Sequence, residues 1–531
     1  MSIDTHTQIR RVPPKPGDEA GFTMIIALMV MLVTSLLLVA AFTAAKGDVH
    51  QSHTDLTQKQ AYYAALAGVQ EYEYTLEANP DIWETCPKPG GAVPGEASES
   101  YEVTTLAAST SKEANCNTAK PFESIIESKG ALANTFRIKS VGKAGKSTRS
   151  IVANFQVAGF LNYIYFTQYE DQDPSARNGT PKEQKECENY RPAREKLGVL
   201  GKCGSIVFGP EDTENGPLHT DDTAVVCGGA EFGRPEHVPP DSIEMLGGAL
   251  SGGCGSGSAK YNTASGEPST VGPELVAPES DSSLHVFVEH TPQENEFMGR
   301  TYLELEGKTN EIKVTTWVGG KEHIEKIEWP KNGLIYVRAN EKATCEYAAE
   351  FEQTNTDTPE TFKEEENCGS VYVKGTFSKA LTVSAEQDVI VNGSITPYGV
   401  TPPAAPASSN TATIGLIATR FIRVYHPCPG GNNGSGAAGS SLENPWIYAA
   451  ILSTDHSFIV DNYNCGKNLG NLNIFGAIGQ KFRGIVGLVG GSGYVKEYIY
   501  DERLATDEPP YFLAPLKAGW KIARETAPNA G

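Results

Sequence analysis

The sequence predicts a mixed fold: a long N-terminal transmembrane α-helix, a small α+β head, and a mainly-β ectodomain wound as a right-handed parallel β-helix, with a β-sandwich as the alternative. Three observations predict it. No residue from Phe22 to Ala45 is charged, and a second apolar series at helical spacing follows as far as Asn79-Pro80. From about residue 160 to 500, short β-type runs alternate with Gly, Asn, Asp and Ser.

The N-terminal element comes first. Residues 1–21 form a polar leader in which Arg10, Arg11 and Lys15 stand beside Asp18 and Glu19. The apolar run behind it spans about 36 Å at 1.5 Å per residue, against about 30 Å of bilayer core. It is also longer than the apolar region of a cleaved secretory signal. Phe22, Ile26, Leu36 and Ala45 mark the expected anchor, a single pass with the remainder outside the cytoplasm. Tyr62, Leu66, Val69 and Leu76 then recur at helical offsets, which carries the helix to residue 78. It ends there because the residue before Pro80 is pushed out of the α region.

Residues 79–159 read as the head. Tyr101 to Thr105 and Thr135 to Ser140 alternate, and Ser147 to Val157 is a long β-type run after the turn at Gly142 to Gly145. Residues 160–500 form the ectodomain. Its clearest stretch, Ser370 to Ile478, holds runs such as Val371-Tyr372-Val373, Val389-Ile390-Val391 and Phe458-Ile459-Val460. A run of three to five residues cannot bury its own apolar face; stacked, successive runs share one interior column. Insertions fall near 247–270, rich in Gly and Ser, and near 346–367, strongly acidic. Residues 501–531 form a C-terminal tail.

A net charge of −21 and the absence of any dense Lys/Arg block exclude a phosphate backbone as partner. The ten cysteines are an even set with no C-x-x-C pair, which points to an oxidising compartment. Neighbours in sequence pair off as Cys86 with Cys116, Cys187 with Cys203, Cys227 with Cys254, Cys345 with Cys368 and Cys428 with Cys465, one of many possible connectivities.

A β-helix raises an enzymatic alternative, because polysaccharide lyases and hydrolases that use it need converging carboxylates. The candidates are Asp455, His456 and Asp461 with Lys481 and Arg483, or His219, Asp221 and Asp222. None has a diagnostic spacing, and Asp461-Asn462 is turn chemistry. Nucleophile-elbow, zinc-protease, Walker and dinucleotide motifs are absent. Asn178, Asn392 and Asn433 match the glycosylation acceptor pattern only weakly. The expectation is no catalytic residue, no metal and no cofactor.

The stretch Ala20-Gly21-Phe22-Thr23-Met24-Ile25-Ile26 resembles the class III signal of type IV pilins and pseudopilins. The resemblance implies a prepilin peptidase that cuts after Gly21 and methylation of Phe22. One departure is Ile26, where the family's major subunits carry Glu. A carboxylate in an apolar setting is retained when it pairs with something, in pilins a neighbour's terminal amine. Its loss implies a minor or tip subunit. The segment QAYYAALAGVQEYEYTL resembles the helix of PilX-type proteins. The series IGLIATRFIRVYHP, WIYAAILSTDHSFIVDN, LGNLNIFGAIGQKFRGIVG and GYVKEYIYDERL resembles the end of β-helical surface proteins of Gram-positive bacteria. Together these imply a membrane-anchored pilin-like protein that displays its ectodomain for assembly or adhesion. Its expected partners are prepilin peptidase, other pilin or pseudopilin subunits, membrane lipid and, as a candidate, surface polysaccharide. The alternatives are an anchored β-helix carbohydrate-active enzyme and a free-standing surface adhesin.

Overall fold

The computed structural model describes residues 22–78, 82–108, 110–114, 125, 135–157, 159–177, 179–288, 295–340, 345, 366–427, 442–505, 507–516 and 520–526. Gly21 and the rest of the leader, Cys116, Cys428, Asn178 and Asn433 lie outside the described residues, as does most of the acidic insertion.

Helix α1 runs Phe22–Ala78, 57 residues. Its C-terminal half forms a helix because Ala61, Ala64, Ala65, Val69, Tyr72 and Leu76 return every three or four residues, and all six are fully buried. They pack on an antiparallel sheet of Gly90–Val93, Glu96–Leu106, Thr135–Ala144, Ser147–Val157 and Trp520–Thr526, in that spatial order. Tyr72 meets Phe136 and Phe155 at ring distances of 6.0 and 5.6 Å in the centre of this core. Gly142 lets the helix approach the sheet backbone: a Cβ there would lie 2.1 Å from the Ala61 carbonyl oxygen and 2.2 Å from the Ala65 nitrogen. The tail thus contributes the strand Trp520–Thr526 to the head, with Trp520 directly opposite Val157.

Between those two strands the chain leaves the head and builds the second domain from three parallel ladders. In the longest, Leu334–Arg338, Leu381–Ala385, Ile414–Ala418, Trp446–Ser453, Asn468–Arg483, Tyr165–Gln172, Leu218–Thr220 and Ile243–Met245 follow one another. The register aligns Ile335, Val383, Leu416, Ile451, Ile478, Tyr165, Leu218 and Ile243 as one interior column. Each such aliphatic side chain contributes about 1.5–3 kcal/mol on burial. These ladders are parallel, unlike the antiparallel pairing of a sandwich. An antiparallel hairpin, Glu311–Val318 with Lys321–Glu328, extends the strand Thr301–Glu306 outward.

The order in which the strands stack departs from the order of the chain at one level. Strand Asn468–Arg483 is followed on one ladder by Tyr165–Gln172, from the start of the domain, and on another by Gly493–Tyr500, from its end. Gly493–Tyr500 then pairs with Thr213–Asn215. The two ends of the domain therefore meet in a seam inside it.

The predicted fold class needs correction at its first element. Among the described residues no helix is long and apolar enough to cross a membrane, so the chain is mostly β and the expected transmembrane helix is not part of the fold. The apolar half of α1 with described side chains runs from residue 24 to 40. The single-pass membrane location and the lipid partner expected from Phe22, Ile26, Leu36 and Ala45 fall with the transmembrane helix.

Three of the five cysteine pairs are present, Cys187–Cys203, Cys227–Cys254 and Cys345–Cys368. Cys86 and Cys465 are also disulfide-bonded.

Candidate functional site

The apolar half of α1 is a surface that the other described residues leave uncovered. Met24 is 68% exposed, Leu32 62%, Leu36 62% and Leu38 71%. Even the two polar side chains turn inward on the helix: the Thr34 hydroxyl donates to the Val30 carbonyl at 2.8 Å, and that of Ser35 to the Leu32 carbonyl at 2.8 Å. The element is therefore apolar all round, a pattern that belongs inside a larger packed environment. Phe22 opens the helix and Ile26 is 47% exposed on it.

The sequence candidates for chemistry fall into separate ion-paired groups. His456 is buried, stacks on Phe421, and lies with Nδ1 2.5 Å from Asp173 Oδ2 and Nε2 3.3 Å from Asp455 Oδ2. The Lys481 ammonium donates to Asp455 at 2.8 Å and to Glu188 at 2.9 Å. Asp461 belongs elsewhere: Arg423 holds it through Nε at 2.8 Å and Nη2 at 3.2 Å while Nη1 donates to Asp388 at 3.1 Å. Burial pushes the Asp461 carboxyl up, and the Arg423 charge opposes that shift. Arg483 is paired with Glu170 at 2.8 Å and lies 3.6 Å over the Phe208 ring.

His219 sits between Glu244, at 2.7 Å, and Asp221, at 2.9 Å. Burial opposes its charge, but the hydrogen bonds to Asp221 and Glu244 outweigh it and hold the imidazole above its usual range. Asp222 instead pairs with Arg194 at 2.8 Å and caps the backbone of Glu170 and Arg191. Arg194 also reaches Asp171 at 2.8 Å; burial pushes the Asp171 carboxyl up to about 8, against the pull of that guanidinium.

These pairs fasten two short helices, α2 Pro181–Cys187 and α3 Arg191–Leu197, onto the ladders. Thr180 caps α2, accepting from the Glu183 amide while the Glu183 carboxylate accepts from the Thr180 amide. The disulfide Cys187–Cys203 closes the insertion. Asp171 lies close to both of those sulfurs, but disulfide sulfur is not a thiolate ligand, so the trio is not a metal-binding set.

A cleft of about 350 Å³ opens at the seam, between residues 205–212 and 484–496. Asp212 and Lys496 line it, and Lys496 Nζ donates to Asp212 Oδ2. The Asp212 carboxylate also accepts from the Gly209 amide at 2.7 Å and the Lys496 amide at 3.3 Å. Sequence reasoning passed over this pair. The available signal was Tyr494, Lys496, Tyr498 and Tyr500, an inward alternation in which one place is taken by an ammonium group.

No family model matches the chain, and no curated protein matches it. Among solved structures, the competence-associated pilin ComZ from Thermus thermophilus is similar at 10% identity with a TM-score of 0.25, over 89% of this chain and 98% of that one. A likeness of that degree carries no information about activity.

Proposed function

We propose that the chain is a subunit of a pilus-type assembly, joined to neighbouring subunits through the apolar half of α1 and displaying its ladder domain for assembly or adhesion. The exposed, all-round apolar stretch 24–40 is the observation that supports this reading. Covering one leucine of that surface contributes about 1.5–3 kcal/mol, so a few contacts per neighbour suffice for association. The Gly21-Phe22 junction would be the cutting point of a prepilin peptidase. The absence of a carboxylate at Ile26, together with the bulk of the ladder domain, favours a low-copy or terminal position over repetition along a filament. The role is structural rather than catalytic; Asp455, His456 and Asp461 are engaged in ion pairs that hold elements together.

Sedimentation of the full-length purified chain tests the association. The native protein should form oligomers, and the double variant Leu32→Glu, Leu36→Glu should be monomeric with an unchanged circular dichroism spectrum. A native chain that stays monomeric at high concentration would sink the reading. Mass spectrometry of the N-terminal peptide from the producing cell tests the processing: a methylated start at Phe22 supports it, and a retained leader contradicts it.

A further inference from the structure

The interior columns of the ladder domain are aliphatic or aromatic at nearly every level, and at the seam three charged residues break that rule. One column runs Ile395, Ile447, Ile474, Tyr498, Glu214, Phe232, Tyr261. In the neighbouring register Leu472 is followed by Lys496. Continuing the pairing of Glu497 with Thr213 back by one residue sets Lys496 beside Asp212. An ammonium and two carboxylates thus occupy places made for hydrocarbon.

Their side chains are largely withdrawn from solvent, Asp212 and Lys496 at the edge of the cleft. Asp212, Glu214 and Lys496 are buried, and the Lys496 ammonium is 5.5 Å from the centre of the Phe208 ring. The nearby guanidinium of Arg483 donates through Nη1 to Glu170, and its charge also opposes the rise at Glu214. Lys496 and Asp212 bond to each other, whereas among the described residues neither carboxylate oxygen of Glu214 has a hydrogen-bond partner. Burial raises the Glu214 carboxyl well above the ordinary range, with Lys496 opposing and Asp212 reinforcing the shift. A buried carboxyl bonded to nothing among the described residues has no evident structural role in a hydrophobic column. It does have a chemical one.

We propose that Lys496 and Asp212 are joined by an intramolecular amide bond between Nζ and Cγ, formed in the folded chain with Glu214 as the proton carrier. In a medium of low dielectric an ion pair is costly, and transfer of one proton from the ammonium to the carboxylate gives a neutral amine and a neutral acid. The amine lone pair attacks Cγ, forming the C–N bond. Glu214, two residues from Asp212 on the same inward-facing side, has first to turn to within hydrogen-bond reach of the nitrogen, and then takes a proton from it while giving one to the departing hydroxyl. The C–O bond breaks and one water leaves by the adjoining cleft. Amine and acid become amide and water, Glu214 is regenerated, and no oxidant or reductant is needed. The two strands already hold the reacting groups together, so the reaction is effectively unimolecular.

The position gives the bond a purpose. Lys496 and Asp212 are 284 residues apart in sequence, one from each end of the domain, and they meet at the seam. An amide there closes the domain covalently where otherwise strand pairing and side-chain contacts such as His456–Asp173 and Arg483–Glu170 hold its ends together.

Trypsin digestion of the reduced native protein followed by mass spectrometry tests the proposal. The expected result is no cleavage after Lys496 and one branched species containing Lys496 and Asp212, lighter than the two linear peptides by one water. Cleavage after Lys496 with both peptides at full mass, as a plain ion pair would give, overturns it. Lys496→Arg keeps the charge but lacks the nucleophile and should give linear peptides only. Glu214→Gln should fold, by circular dichroism, with the bond slowed or absent; cross-linking at the native yield in this variant would overturn the role given to Glu214.

Discussion

The His456 imidazole reaches Asp173 across 283 residues of sequence, Nδ1 to Oδ2 in 2.5 Å. Asp173 leaves the strand Tyr165–Gln172 and His456 lies between Trp446–Ser453 and Phe458–Val460, so the contact fastens early and late segments of the ladder domain. Replacing His456 by Ala strips a buried carboxylate oxygen of that partner and should cost about 3 kcal/mol. Asn, which can still donate, should restore part of it. Urea denaturation of the three proteins checks this.

Asp281 makes stability fall as pH rises. Its carboxylate accepts from Ser384 at 2.5 Å, Thr419 at 2.9 Å and Tyr336 at 3.3 Å. Burial nevertheless pushes its pKa up to about 6, the hydrogen bonds only partly compensating. The folded chain therefore holds this proton more tightly than the unfolded one. The contribution is fully present below the unfolded pKa of about 3.9 and is lost as pH rises to about 6. Asp281→Asn removes this dependence. The stability of the variant relative to native should rise by about 2–3 kcal/mol between pH 4 and pH 7, measured by denaturant titration at both values.

Gly142 sets how closely α1 can lie on the head. With backbone atoms of Ala61 and Ala65 closer than any real Cβ tolerates, Gly142→Ala must push helix and sheet apart. A loss of about 3 kcal/mol is expected, together with faster amide hydrogen exchange at Ala61, Ala64 and Ala65 in native-state measurements.

Removing the disulfide Cys187–Cys203 by the double change to Ser should loosen α2 and α3 while leaving the ladders folded. A bridge across 16 residues is worth about 3 kcal/mol. Limited proteolysis should then cut within 181–203 first, and cutting inside the ladders instead would contradict this assignment.

What could be read from the sequence followed from periodicity. The strands Thr135–Ala144 and Ser147–Val157 show themselves because alternation is a local signal, and the runs at Val371, Val389 and Phe458 because their neighbours are turn residues. Hydropathy counted along the chain overreached at Phe22 to Ala45, because a run of apolar letters does not state what covers it. The seam was beyond reach: nothing local to Tyr165 or Gly493 says that residues from both ends of a domain will lie beside Asn468–Arg483. Lys496 and Asp212 were missed for the same reason, since their meaning arises only from the partner each acquires through that crossing.

Trp520 lies opposite Val157, so the polypeptide enters and leaves the ladder domain through two adjacent strands of one small sheet. Everything between those two residues is cargo clipped into a single slot of the handle formed by α1 and the head. A different cargo whose ends emerge side by side could be substituted there without altering the exposed apolar half of α1.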